Sequence, residues 1–226
     1  MMQYVIEPKK LTFNFDLTLE RNRVSRYLKT SGQSGIEKYV DRGLELGNQL
    51  VESRATYSIG ENNQRLIEGH HLPRPLQKAE LLAFGISTIG RGLEEKVDEL
   101  MKEGDYALSN ILDSVGSAAV NETADRLGEK VIDYSRDNEL NNTRAFSPGS
   151  GSSHWKIKHQ QLIFDSLNPA EVEVGLTSSF TMVPKKSSSF VIGIGKEVQQ
   201  ANNLYSCEGC TRDDCPYRNT PRKATV

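Results

Sequence analysis

The chain predicts a single α+β domain, a twisted and mainly antiparallel sheet packed with long helices, and three observations lead there. Strand-like and helix-like segments both occur, yet they show no βαβ regularity and no internal repeat. Leu11, Phe13, Phe15, Leu17 and Leu19 alternate with Thr12, Asn14, Asp16, Thr18 and Glu20, the period of a strand with one buried face. From Asp105 onward, Leu108, Ile111, Leu112, Val115, Ala119, Leu127, Val131 and Ile132 recur at helical spacing and mark one long helix.

The remaining elements follow in chain order. Ser34 stands where an N-cap belongs, ahead of Ile36, Tyr39, Val40, Leu44, Gly47, Leu50 and Val51 on one helical stripe. Residues 54–59 read as a second strand. Residues 61–77 are polar, and His70-His71 with Pro73-Arg74-Pro75 read as a surface turn or helix end. Adjacent histidines point in different directions on a helix or a strand, so they make a poor bidentate metal site by themselves. Residues 81–89 form a compact apolar strand ending in Thr88-Ile89-Gly90-Arg91-Gly92, and a helix with Leu93, Val97, Leu100 and Met101 stops at Gly104. Within the long helix, Gly116, Ser117, Ala118 and Ala119 form a small-residue patch suited to helix packing, while Glu122 and Asp125 read as solvated carboxylates. Residues 136–142 form a charged linker. Trp155, Leu162, Ile163, Phe164 and Leu167 give the next helix a buried side, and Asn168-Pro169 ends it. Residues 171–183 are strand-like and residues 187–195 form a further strand, a candidate hairpin pair.

Composition narrows the function classes. With 226 residues, 36% hydrophobic and 26% charged, the chain can build one sizeable core. A net charge of −2 and a pI of about 6.1 give no electrostatic case for nucleic acid. Apolar runs such as Leu81-Leu82-Ala83-Phe84 are far too short to span a bilayer, and M-M-Q-Y-V-I-E-P-K-K lacks a signal-peptide core. The expectation is a cytoplasmic protein with no membrane and no nucleic-acid partner. All three cysteines, Cys207, Cys210 and Cys215, cluster with x2 and x4 spacing, which favours metal or redox chemistry over a disulfide framework. Three thiolates on one short loop can ligate iron or zinc, with His154, His159, a partner group or solvent in the fourth position. Three free thiols near the tail are the alternative.

Residues 144–195 carry the most chemistry. Ser147-Pro148-Gly149-Ser150-Gly151 is a backbone-dominated turn, in which proline sets one dihedral and glycine allows positive φ, so that amides can approach a ligand. Arg144, just before it, suits a carboxylate or phosphate, which its planar fork binds in a bidentate way. Hydroxyls at Thr177, Ser178, Ser179 and Thr181 line both faces of the expected strand, an unusual pattern for a core strand. A Ser/Gly-rich surface loop followed by an edge strand is the plain alternative.

Taken in order, these residues resemble the reactivation, or activation, domain of cobalamin-dependent methionine synthase. The match is closer to the free-standing family of small proteins built on that domain. The resemblance is carried by Arg144 with Ser147-Pro148-Gly149, by Trp155 with Gln160 and Leu162-Ile163-Phe164, and by Leu176-Thr177-x-Ser179-Phe180-x-Met182-x-Pro184-x-Lys186-Ser187-x-Ser189. Thr88-Ile89-Gly90 and Leu112-Asp113-x-x-Gly116-Ser117 also fit, and Cys207-x2-Cys210-x4-Cys215-x-x-Arg218 is similar to the ending of free-standing members. It runs over residues 81–218 and is loose over residues 1–80. The expected layout is one domain over residues 1–218, with a Cys-rich loop at 203–218 and a disordered tail at 219–226.

That resemblance implies a chemistry and a set of roles. In this family the domain binds S-adenosylmethionine and caps the corrin ring of a partner. An external one-electron donor such as flavodoxin or ferredoxin reduces cob(II)alamin, and the sulfonium methyl group traps the product, a methyltransferase-type reaction. Arg144 would clamp the methionyl carboxylate, the Pro148-Gly149-Ser150 backbone would hydrogen-bond the ligand, and Glu122 would pair with its amine. Ser178 and Ser179 would line the pocket or face the corrin. Two features depart from the family: Ser150 stands where tyrosine usually follows Pro-Gly, and Arg144 lies one residue further from the turn. No D-x-H-x-x-G motif occurs, which fits a chain that works on a corrinoid carried by a partner, either a short methionine synthase or another corrinoid methyltransferase protein. The alternative is a non-catalytic module that binds a corrinoid protein, or one that transfers electrons through an iron–sulfur cluster on the Cys loop, where zinc would only staple it. Absorption spectra and metal analysis after anaerobic purification test the loop. Bound iron or zinc is expected and should be lost in Cys207→Ala/Cys210→Ala; colourless protein with stoichiometric zinc removes the electron-transfer alternative.

Overall fold

The computed structural model describes residues 9–25, 27, 36–63, 68–151, 154–201 and 204–205. Strands β1 (Lys9–Asn14), β2 (Arg54–Glu61), β3 (Leu81–Thr88), β4 (Asn141–Asn142) and β7 (Ser187–Gly195) form one antiparallel sheet, in the order β1-β2-β3-β7-β4. Strands β5 (Gly175–Leu176) and β6 (Met182–Val183) make a separate two-stranded hairpin. The helices are α1 (Arg21–Val24), α2 (Glu37–Leu50), α3 (Arg74–Gln77), α4 (Gly92–Glu103), α5 (Tyr106–Asp137) and α6 (Gln160–Ser166). This is the α+β architecture with an antiparallel sheet and long helices that the sequence predicts. Among the described residues no helix is long and apolar enough to cross a membrane.

All eight residues of β3 are buried, which explains why L-L-A-F-G-I-S-T shows no alternation. Leu82, Phe84 and Ile86 face a core with Leu76, Phe146, Trp155, Leu162, Ile163 and Val191. Leu81 and Ala83 face the opposite core with Tyr57, Ile59, Phe190 and Ile192, closed by Leu127 and Val131 of α5. Helix α5 begins at Asp105, whose carboxylate accepts from the Leu108 amide at 3.2 Å. Its amino-terminal half packs with Val40 of α2 and Leu93 and Leu100 of α4 around Leu112 and Val115, so its buried side changes partners from helices to sheet along its length. Helix α4 ends on Gly104 at φ +84, the left-handed cap expected there.

Four segments differ from the sequence-based expectation. Strand β1 stops at Asn14 because its partner β2 begins at Arg54, the residue paired with it. Leu19 then turns into the helical core, its amide donating to Asn48 Oδ1 at 2.9 Å. The expected linker at 136–142 is instead the end of α5 followed by β4. Residues 171–183 form no long strand: a 3-10 turn, Pro169–Val172, buries Val172, and only the short β5–β6 hairpin follows. Strand β7 pairs with β3 and β4 and not with 171–183, since its apolar residues are buried on both faces, which hydroxyl-rich 177–181 could not satisfy. Ser34, the expected N-cap, lies outside the described residues, and α2 starts after Ile36.

Phe190 sits in register with Gly85, and its ring fills the space a side chain there would need: a Cβ on Gly85 would lie 2.5 Å from Phe190 Cζ. Gly85→Val is expected to lower stability by about 1–3 kcal/mol in urea unfolding. Gly60→Ala, where no atom lies within 4 Å of the new Cβ, should stay within about 0.5 kcal/mol of the parent.

Candidate functional site

Residues Ser147 to Ser150 form a type II turn, with proline second and glycine third. The Ser150 amide donates to the Ser147 carbonyl at 3.1 Å, and Gly149 takes φ +81. Gly149 also donates its amide to the Trp155 carbonyl at 2.7 Å. Both turn amides are therefore committed within the protein, contrary to the expectation that they approach a ligand. What the turn backbone offers a ligand is its carbonyl oxygens. The turn lies close on Ile157, whose Cδ1 would be 2.6 Å from a Cβ on Gly149.

Beside the turn opens a cleft of about 650 Å³, lined by Gly149, Ser150, His154, Trp155, Lys156, Ile157 and Lys158. That volume falls within the roughly 300–1,000 Å³ usual for small-molecule sites. The described lining residues include two lysines and a histidine and no carboxylate, while most of the exposed lining surface is apolar. Arg144 is half-buried and does not line it. Its guanidinium carbon lies 4.3 Å from the Phe146 ring centroid, and Phe146 is itself fixed to β7 by paired backbone bonds with Val191 at 2.9 Å.

Behind the cleft, Trp155 is buried, its indole N–H donating to the His70 carbonyl at 2.8 Å. Its ring stacks on His159 at 5.8 Å and 18°. His159 is buried as well, with Nδ1 3.5 Å from His70 Nδ1. Burial lowers the His159 pKa below the ordinary 6.5, and His70, Lys158, His71 and Lys156 push it the same way. This His–Trp group went unread in the sequence, since it joins His70 to residues more than eighty positions away.

Ser178 and Ser179 lie on the exposed turn between β5 and β6, not on two faces of a strand. The Thr177 amide donates to the Thr181 carbonyl at 2.9 Å, and Phe180 takes φ +62. Thr177 Oγ1 stands 2.9 Å and Thr181 Oγ1 3.4 Å from Ser179 Oγ, so three hydroxyls share one tip. The root of this hairpin is pinned to the helices. Lys186 Nζ donates to the Asp113 carbonyl at 3.0 Å and Ser117 Oγ at 2.8 Å and pairs with Asp113 Oδ1 at 2.8 Å, while the Lys185 amide donates to Glu94 Oε2 at 2.8 Å. Ser187 Oγ lies 3.0 Å from Thr88 Oγ1. Thr88, Asp113, Ser117, Lys186 and Ser187, scattered along the chain, thus meet in one polar cluster.

Glu122 stands apart from the turn. It projects from α5, which covers the sheet face opposite the Trp155 core, and its side chain is only 12% exposed. Arg23 pairs with it, and Arg126 Nε donates to its Oε1 at 2.9 Å while Nη1 donates to the Asp16 carbonyl at 2.9 Å. The expectations of a solvated carboxylate and of a partner for a ligand amine are both corrected: two arginines occupy it. Cys207, Cys210 and Cys215 lie outside the described residues. Among the described residues no group of three or more His, Cys, Asp or Glu is arranged to hold a metal ion.

By sequence the chain matches no family model and no curated protein. Among solved structures it is similar to the crystal structure of the MetH reactivation domain bound to AdoHcy, with a TM-score of 0.56 and 11% identity, covering 90% of this chain and 82% of that one. At that identity the likeness establishes the fold, which is that of the MetH reactivation domain.

Glu122 serves as a staple between α1, the segment after β1, and α5. Glu122→Gln is expected to cost about 1–3 kcal/mol in urea unfolding. Arg23→Ala should lower stability in the same direction, and no change in either variant would show the staple to be idle.

Proposed function

We propose that this protein binds S-adenosylmethionine at the Pro148–Gly149 turn and acts as the reactivation partner of a corrinoid protein, supporting reductive methylation of its cob(II)alamin. The observation that carries this reading is a fold shared with a domain whose crystal structure holds AdoHcy, together with a type II turn beside a mostly apolar cleft, three residues after Arg144. In this reading Arg144, already held over Phe146, pairs with the methionyl carboxylate through its planar fork. The carbonyl oxygens of Pro148, Gly149 and Ser150 accept from the amino groups of the ligand. Ser178 and Ser179, on the pinned hydroxyl tip, face the corrin of the partner.

The sulfonium supplies a methyl group that passes to cobalt once an external donor such as flavodoxin or ferredoxin has added one electron, and S-adenosylhomocysteine is released. This chain's contribution is to hold the donor in line and to exclude water. The corrinoid carrier is a short methionine synthase or another corrinoid methyltransferase protein, and the setting is cytoplasmic. Cys207, Cys210 and Cys215 would hold an iron–sulfur cluster or zinc near the end of the chain.

A second reading draws on the occupied groups. Both turn amides and Glu122 are bonded within the protein, which favours a module that docks on a corrinoid protein without a methyl donor. Calorimetry separates the two. S-adenosylmethionine is expected to bind, and Arg144→Ala should weaken binding by roughly 10- to 100-fold, the worth of one charge-assisted pair. The variant should remain folded. No heat at ligand concentrations on the order of millimolar removes the methyl-donor reading and leaves the docking or electron-transfer module.

A further inference from the structure

We infer that His70 and His159 form a positioning pair that couples the Pro148–Gly149 turn to proton uptake, and through it the affinity of that turn for its ligand. The second half of this inference rests on the proposed reading of the turn as the ligand site.

The two Nδ1 atoms are 3.5 Å apart, longer than a good hydrogen bond and close enough that two imidazolium rings there would repel strongly. His159 is only 4% exposed, so solvent screens that repulsion little. Trp155 holds both rings' positions at once: its indole N–H binds the His70 backbone, and its ring lies parallel to His159. The same residue accepts the Gly149 amide at 2.7 Å. That bond is to the Trp155 backbone carbonyl, so a displacement of either histidine reaches the turn through one intermediate residue.

Among the described residues, the charges that act on His159 are all positive. His71 lies on the His70 segment, with its ring 6.3 Å from that of His159. Lys156 and Lys158 flank it on the segment entering α6, and His154 lines the cleft in front. Asp165, the carboxylate of α6, is bonded by Gln161 Nε2 at 2.7 Å. Because the folded-state pKa of His159 is lowered, the unfolded chain binds its proton first as acid is added. The arrangement is intact above the ordinary value of 6.5 and is lost as pH falls from there through the lowered value.

Trp155 is the one tryptophan of the chain, so intrinsic fluorescence of the full-length protein without ligand reports on this group. Emission is expected to change in a single transition centred below 6.5, to lose that transition in His159→Gln, and to keep it in His154→Gln. Should His159→Gln fail to fold, His70→Gln, on the less buried partner, must shift the transition upward by relieving repulsion. No transition, a midpoint at or above 6.5, or loss in His154→Gln alone overturns the pair. Calorimetry with S-adenosylmethionine then tests the coupling. Affinity should fall on the order of tenfold from about pH 7 to about pH 5.5 in the parent and stay nearly constant in a folded histidine variant; a parent affinity that does not change with pH overturns the coupling. Absence of any binding, with the His159-dependent fluorescence transition intact, supports the pair and removes the proposed function instead.

Discussion

Two-sided burial of β3 is the constraint on which the rest of the structure depends. A central strand with every residue buried needs a layer on each face, and α5 supplies one while α3, α6 and the Trp155 segment supply the other. Full burial of Leu82, Phe84 and Ile86 contributes about 1.5–3 kcal/mol each. The arrangement also decides what can meet. Groups carried by α5 are separated from the Pro148–Gly149 turn by the thickness of the sheet, which is why Glu122 and Arg144 do not converge.

The polar groups that tie these layers together lie at their edges. Lys186 reaches from the loop before β7 to two oxygens of Asp113 and one of Ser117 on α5, which fixes the root of the β5–β6 hairpin while its hydroxyl tip stays exposed. Arg23, Glu122 and Arg126 do the same at the other end for α1 and the segment after β1. Each cluster satisfies charges that are partly withdrawn from water, so each is worth more as a geometric restraint than as net attraction. Rigid roots with exposed tips suit a protein whose proposed ligand and partner approach from outside.

The cleft has a consistent chemistry. Its turn presents carbonyl oxygens, its exposed lining is mostly apolar, and Arg144, just ahead of the turn in sequence, lies over an aromatic face. A ligand carrying both an amino group and a carboxylate matches that combination better than a simple phosphate, which would have wanted the turn amides now used by Ser147 and Trp155.

Much of the fold was legible in the sequence. Helix α5 with its start at Asp105, the Gly104 stop of α4 and the apolar β3 are written in spacing and capping, which are local properties. The Pro–Gly turn was legible for the same reason, since proline and glycine act on their own dihedrals. Tertiary structure decided the rest. Alternation through Leu19 could not reveal that β2 begins at Arg54, and a hydroxyl-rich run could not reveal which strand lies beside β7. His70 meets His159 across 89 residues, and Arg126 meets the Asp16 carbonyl across 110. Local pattern records which side of an element prefers to be buried, but the identity of the group that arrives there depends on chain closure over distances that no short window contains.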